Sequence, residues 1–453
     1  MEIMASEKNK TVIIKYGHKF RFHKMLKNEV QRWTCCKSTC KCFFKTYNGV
    51  DTEIFNDHNH NKPSEQDINR QKLNNNLKRK AVEEISVLPS KLICRELKNC
   101  DINSLSLNDT SLIKRNIRNA RLSVHPNIPK NITETHTAMN EMTLVTNKNE
   151  SFLLVNDFNN GIIGFSTKSN LEVLCEISTI LVDGTFRSCP KYFYQFFTIH
   201  GLVGESYIPL VFFLLPNKET ETYVRLFEHT VNSCAQYQLI FSPDVVFIDF
   251  EIAIHTAAKL VWPKINIKGC RFHLGQNWWK KIQTLGLVNT YNSLNTEKSD
   301  FFKCFFGLPF LRPEEVGECF AQDLMAIQPN DKQIKTFCDY VLDNYISPDA
   351  TFPPYIWSEF AATTVRTTNS CESYHAVLNR RFYSPHPNIF NFVDELLQIQ
   401  SETHIKLRST IQKKKITLGK EKYLREQMMK YTNNIITRLE FVKCLSFKFL
   451  PKA

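Results

Sequence analysis

Glycine is scarce in this chain, 13 residues among 453, and no segment is of low complexity. A fibrous or collagen-like protein is therefore excluded. No internal period recurs of the kind that builds solenoids or propellers. Long apolar runs are missing too: the longest strongly apolar stretch, IPLVFFLLP (208–216), is too short to span a bilayer. Residues 1–15, MEIMASEKNKTVIIK, carry charges throughout and lack the apolar centre of a secretory signal. The expectation is a chain with no membrane partner. Acidic charge is in deficit, with 45 Asp and Glu against 58 Lys and Arg, a formal net charge of +13. That surplus points to a polyanionic partner, nucleic acid before anionic membrane.

What is abundant is phenylalanine, 34 residues, within a hydrophobic share of 42% that can supply a real core. The length predicts more than one domain. Fifteen cysteines, odd in number and scattered, favour an intracellular setting and metal binding over a disulfide framework.

Composition divides the chain into four regions. Residues 1–64 carry Cys and His among short alternating, strand-like pieces. Residues 65–150 are polar and rich in Asn and Lys, and read as a helical linker or accessory region. Residues 151–400 hold the strongest patterning: strands at 151–157, 178–183, 193–202, 208–216, 243–249 and 265–272, and helices at 220–236, 251–262 and 275–285. Three consecutive strands followed by alternating helix and strand predict a mixed α/β sheet. Residues 286–365 lose the β pattern and read as a helical insertion with a Phe-rich face, Phe301, Phe302, Phe305 and Phe306. A further helix is predicted from near Asn369 to Arg381. Residues 401–453 are basic and helical, with a cluster at Lys413, Lys414 and Lys415.

In the first region, RWTCCKSTCKCFF (32–44) precedes NDHNHN (56–61). Zinc takes four soft or borderline ligands in a tetrahedron, and Cys35, Cys40, His58 and His60 can supply them. Cys36 and Cys42 are close enough to substitute, and buried free thiols with surface histidines would explain the same residues. Phe20, Phe22, Trp33-Thr-Cys35, Cys40 and His58-Asn-His60 resemble the FLYWCH-type zinc finger over residues 12–62. That resemblance implies a small β-rich domain holding Zn²⁺ on Cys35, Cys40, His58 and His60.

Three acids stand out in the patterned region. Asp183 closes the run STILVD, Asp249 closes VVFID, and Glu372 lies in RTTNSCESYHAVLNRRF (366–382). Each has a plain structural explanation. Asp183-Gly184 is a hairpin-turn signal. Asp249 can cap the next helix. Asn369 with Glu372 has capping-box spacing. Together they also suit hard divalent cations, two of which serve phosphoryl transfer. Cys371, Tyr374, Leu378 and Phe382 form an apolar stripe that Glu372 borders, so it can face a sheet edge.

VDGTFRSCP, FYQFFTIHGL, VFIDFE, GCRFHLGQNWWKKI and TTNSCESYH, in that order, resemble a Mutator-like (MULE) transposase domain over about residues 151–400. The resemblance implies a ribonuclease-H-like mixed sheet with a helical insertion. It also implies a catalytic triad of Asp183, Asp249 and Glu372 that binds Mg²⁺ or Mn²⁺. Cys270 and His273 match the family's Cys-x-x-His element, which either orients the site or contacts DNA. His375, Lys280 and Lys281 are further candidates for DNA phosphates, and Trp278 and Trp279 invite either base stacking or core packing. The implied partners are DNA, in particular terminal inverted repeats, and other copies of the chain assembled on it. The implied location is the nucleus. The alternative is a domesticated, catalytically inactive DNA-binding transcription regulator. A third reading, a protein-interaction module, rests on the Phe-rich insertion forming an exposed patch.

Overall fold

The computed structural model describes residues 2–6, 10–51, 53–84, 87–98, 105–124, 127–204, 206–294, 296–362, 369–382, 384–409, 415–448 and 450; of residues 2, 5, 107, 369–373 and 375 it describes the backbone alone. The chain divides into two compact units, Met1–Ile128 and Pro129–Ala453.

The first unit opens with six antiparallel strands in sequential order: β1 (Glu2–Ala5), β2 (Thr11–Lys15), β3 (His18–Met25), β4 (Gln31–Cys35), β5 (Phe43–Tyr47) and β6 (Val50–Asp51). Two-residue turns close two of its hairpins. Tyr16 and Gly17 join β2 to β3, Asn48 and Gly49 join β5 to β6, and all four have positive φ, as the favoured hairpin turn requires. The buried face is small: Ile13, Phe20, Trp33, Phe44 and the thiols of Cys35, Cys40 and Cys42. Helices Glu65–Glu83, Pro89–Leu97 and Leu107–Leu122 follow and bury Leu73, Leu77, Leu92, Ile93, Ile113 and Ile117 among themselves. Ser64 and Ser106 cap the first and third by accepting backbone amides, as Ser does at that position.

The second unit is built on a seven-stranded mixed sheet: β7 (Leu153–Asp157), β8 (Ile162–Phe165), β9 (Thr179–Thr185), β10 (Gln195–Val203), β11 (Ser206–Leu215), β12 (Val245–Ile248) and β13 (Asn266–Gly269). Their spatial order is β13-β12-β9-β10-β11-β8-β7. β12 runs parallel to both β9 and β13, and the remaining pairings are antiparallel. Helices cover both faces. Phe197 and Ile199 of β10 pack with Tyr223, Leu226 and Phe227 of helix Thr220–Gln236, whereas Phe196 packs with Phe392 of helix Ile389–Arg408. Central strands buried on both faces need continuous apolar runs rather than alternation. That explains IPLVFFLL (208–215), which forms most of β11. Pro209 within it lies at a register shift opposite Ile199 and His200, the kind of irregularity that tolerates a proline.

Two expectations are corrected. The last strand stops at Gly269 rather than at residue 272, and the helix begins at Arg271, four residues earlier than expected. The Phe-rich segment is no exposed patch. Phe301, Phe302, Phe305 and Phe306 are buried, in one core with Trp278, Phe337 and Phe441, so the interaction-module reading loses its basis. Burying such a ring is worth roughly 1.5–3 kcal/mol, a sufficient reason for those residues to be aromatic. This core also takes in Leu424 and Leu445 from helices Lys415–Thr432 and Arg438–Lys448.

Candidate active site and metal centre

β9 and β12 are parallel neighbours, with Val245 opposite Thr179 and Phe247 opposite Leu181. Side chains alternate along a strand. Two residues beyond the packed pair Leu181 and Phe247, on the same face, stand Asp183 and Asp249. The register thus sets both carboxylates at the same edge of the sheet. Neither plain explanation from the sequence holds. β9 continues through Gly184 to Thr185, so Asp183-Gly184 is no hairpin turn. The residue at the cap of helix Ile252–Val261 is Glu251, not Asp249.

Between the two acids stands His273. Its Nε2 lies 3.8 Å from Asp183 Oδ1 and its Nδ1 3.8 Å from Asp249 Oδ1. Nδ1 is buried with no hydrogen-bond partner. His273 reaches this place because β13 runs beside β12 and feeds helix Arg271–Thr284 at the same sheet edge. Cys270 caps that helix, its Sγ accepting the His273 amide at 3.4 Å. The Cys-x-x-His spacing is therefore a sulfur cap that aims an imidazole at two carboxylates. Burial works against the imidazolium, but the Cys270 sulfur and the Asp249 and Asp183 carboxylates outweigh it and push the His273 pKa up to about 10. A cation between these acids is electrostatically favoured, and hard carboxylate oxygens, with Asp249 partly open to solvent, suit Mg²⁺ or Mn²⁺.

The helix bearing the third acid covers the same face. Tyr374 of helix Asn369–Arg381 sets its ring edge-on to His200, centroids 5.0 Å apart, and His200 pairs with Leu181 across the strands. Leu378 is buried beside Phe392, and Phe382 stacks on the Phe392 ring. The helix backbone thus carries Glu372 on the side of the sheet that Asp183 occupies. The side chains of Glu372 and His375, and the capping box of Asn369 with Glu372, lie outside the described residues, as do Lys413 and Lys414. Lys415 opens the helix that follows them.

Sequence reasoning missed a second row of groups. Glu251 pairs with Lys218 and accepts a hydrogen bond from the Tyr223 hydroxyl at 3.3 Å. The same hydroxyl lies 3.0 Å from Gln195 Oε1. Burial, reinforced by the Glu251 charge, pushes the Tyr223 pKa up, so it remains a donor. Gln195 lies across Gly184, where a Cβ would come within 1.9 Å of its Nε2. Glu251 was visible in VVFIDFE, but its partners are remote in sequence. Of the other candidates, Trp278 is fully buried, which excludes base stacking, and Trp279 packs on Tyr291. Lys280 is exposed, whereas Lys281 lies over the Tyr340 ring, 4.8 Å from its centroid.

In the first unit, Cys35 ends β4, Cys40 lies in the following loop, and His58 and His60 come from the segment after β6. One donor atom from each lies within 4.8 Å of the others. Cys35 Sγ is 3.2 Å from His60 Nε2 and Cys40 Sγ 3.5 Å from His58 Nδ1. Ligands bound to tetrahedral zinc sit roughly 3.3–3.8 Å apart, so the donor set fits that ion. Burial raises the Cys35 thiol, whereas at Cys40 backbone amides outweigh burial and favour the thiolate. Cys42 is buried and faces the other nitrogen of His58, 3.3 Å away, and burial pushes its pKa up to about 11. Cys36 is exposed. His18, which the sequence did not single out, stacks flat on His58 with centroids 3.5 Å apart and steadies that ring.

Among the described residues, no helix is long and apolar enough to cross a membrane. No curated protein matches the chain. Residues 179–277, the stretch from β9 into the helix that carries His273, match the family model of the MULE transposase domain, which gives this part of the molecule a transposase-like, DNA-related function.

Proposed function

We propose that the second unit is a metal-dependent polynucleotidyl transferase of the transposase type, acting on DNA ends. The observation that carries this reading is the meeting of Asp183 and Asp249 across His273, inside the segment that resembles the MULE domain. A ribonuclease-H-like core is supported by β9, β10 and β11, an antiparallel meander, with β12 and β13 continuing the sheet in parallel from β9. Asp183, Asp249 and Glu372 would hold Mg²⁺ or Mn²⁺. A pair of such ions supplies Lewis-acid activation of the attacking and leaving oxygens of a phosphodiester. His273 stands between the two strand-end acids, 3.8 Å from each, and spaces them at the sheet edge. Lys218 neutralises Glu251, so that acid does not add to the repulsion a phosphate meets. Lys280 and the basic C-terminal helices would bind backbone phosphates, with strong salt dependence.

In the first unit, Cys35, Cys40, His58 and His60 would hold zinc in a FLYWCH-type finger that contributes preference for terminal inverted repeats. Such a protein would work in the nucleus, as an assembly of copies that pairs two DNA ends. The test is nicking of candidate terminal repeats with added Mg²⁺ or Mn²⁺. The wild type should cut, and Asp249→Asn should cut at least about a hundredfold more slowly, as expected when an electrostatic catalytic group is lost. Equal cutting by both would remove Asp249 from the mechanism. DNA binding without any cutting would favour the domesticated regulator instead.

A further inference from the structure

The loop between β9 and β10, residues 186–194, reads FRSCPKYFY. It holds four aromatic residues and two cations, and no acid. Of its four rings only Phe193 is buried; Phe186, Tyr192 and Tyr194 are 44%, 36% and 54% exposed. Packing alone does not account for three large rings in solvent at one sheet edge. Phe186 and Tyr194 stand edge to face, 5.5 Å between centroids. Lys218, the partner of Glu251, lies 5.6 Å from the Phe186 centroid, so the aromatic pair is continuous with the groups around Asp249. Lys191 lies 5.1 Å from the Tyr192 centroid. Tyr192 has φ 82°, a backbone conformation that a tyrosine rarely adopts and that glycine would take without strain.

The loop is also held firmly. Cys189 is buried, and its amide bonds the Phe186 carbonyl at 3.1 Å. Ser188 donates to Asn379 of the helix that carries Glu372. The His386 amide donates to the Arg187 carbonyl at 3.0 Å. A backbone fixed in this way loses little freedom when a flat partner stacks on the rings it carries.

We propose that this loop is a stacking platform for an unpaired nucleobase of a DNA end. Phe186 and Tyr194 would take the base, and Arg187 and Lys191 the flanking phosphates. The proposal rests on the DNA-end reading of the neighbouring acids, because Phe186 follows Asp183 by three residues. A base has a π-face for the rings and a phosphate for the cations, which a purely apolar partner lacks. The platform would hold an end strand open beside the acids that cut it.

The test uses the intact protein without added divalent metal, so that no strand is cut. Binding of an oligo-dT single strand and of a duplex of equal length is followed by anisotropy. Quenching of a 2-aminopurine base placed unpaired at a duplex end reports stacking. Phe186→Ala and Tyr194→Ala should each weaken single-strand binding about 5- to 100-fold and abolish the quench, while duplex binding changes less than about twofold. Phe186→Tyr and Tyr194→Phe, which keep a ring, should bind as wild type. An unchanged thermal unfolding transition shows that the alanine variants fold. Alanine variants that bind single strand as wild type does, or lose both ligands equally, would overturn the platform. Loss of self-association with DNA binding intact would overturn it too, in favour of a contact between copies. Metal-dependent nicking is scored separately: nicking with no platform sinks this inference alone, and a platform without nicking sinks the nuclease reading alone.

Discussion

The ring of Tyr374 stands edge-on against the ring of His200, with centroids 5.0 Å apart. This contact fixes the helix that bears Glu372 over the sheet face from which Asp183 projects. Tyr374→Ala should cost about 1–3 kcal/mol of stability, through the lost ring contact and a partial cavity. It should slow DNA cutting more than it weakens DNA binding, and Tyr374→Phe should restore both. Equal loss of cutting and binding in Tyr374→Ala would mean that the contact does not position the helix.

Gly184 leaves room for Gln195. A methyl group there would force the amide away from its place beside the Tyr223 hydroxyl. Gly184→Ala should therefore lower stability by about 1–3 kcal/mol, measured by chemical denaturation. Because Gln195 supplies the clash, Gly184→Ala combined with Gln195→Ala should be at least as stable as Gln195→Ala alone. If the glycine substitution costs the same in both backgrounds, the crowding account is wrong.

Trp278 packs against Phe305, Phe306, Tyr345 and Trp357 in the core of the helical region. Trp278→Ala should destabilise by about 3–5 kcal/mol, whereas Lys280→Ala, on the exposed side, should leave the melting temperature within experimental error. DNA affinity should respond in the opposite sense, falling modestly with Lys280→Ala. A stable Trp278→Ala protein would contradict the packing.

Zinc should be needed by the first unit because its sheet has little core of its own. Cys40→Ser should lose bound zinc, and Cys36→Ser should keep it, by elemental analysis of the purified protein. Unchanged zinc in Cys40→Ser would dismiss that sulfur as a ligand.

Much of this was legible because the patterns are local. Helix Thr220–Gln236 matches its expected bounds, since apolar residues recur at threes and fours along it. β8 went unread because Ile162–Phe165 is only four residues with Gly164 among them, a residue that weakens a strand pattern. The start of helix Arg271–Thr284 was hidden by its cap, because cysteine is not among the residues that usually announce one. The site divides in the same way. Asp183 and Asp249 stand out as acids at the ends of apolar runs. His18 on His58, and Lys218 with Tyr223 on Glu251, arise only when remote segments fold together, and no spacing along the chain reveals them.

In the proposed mechanism Asp183, Asp249 and Glu372 surround one metal site. Iron-directed backbone cleavage tests it directly. The zinc-saturated protein is loaded with Fe²⁺ in place of Mg²⁺, and radicals generated with ascorbate and peroxide cut the chain near the bound ion. Cuts are expected close to residues 183, 249 and 372, suppressed by excess Mg²⁺ and lost together in Asp249→Asn. Cuts near 183 and 249 with none near 372, or cuts that persist in Asp249→Asn, would contradict it.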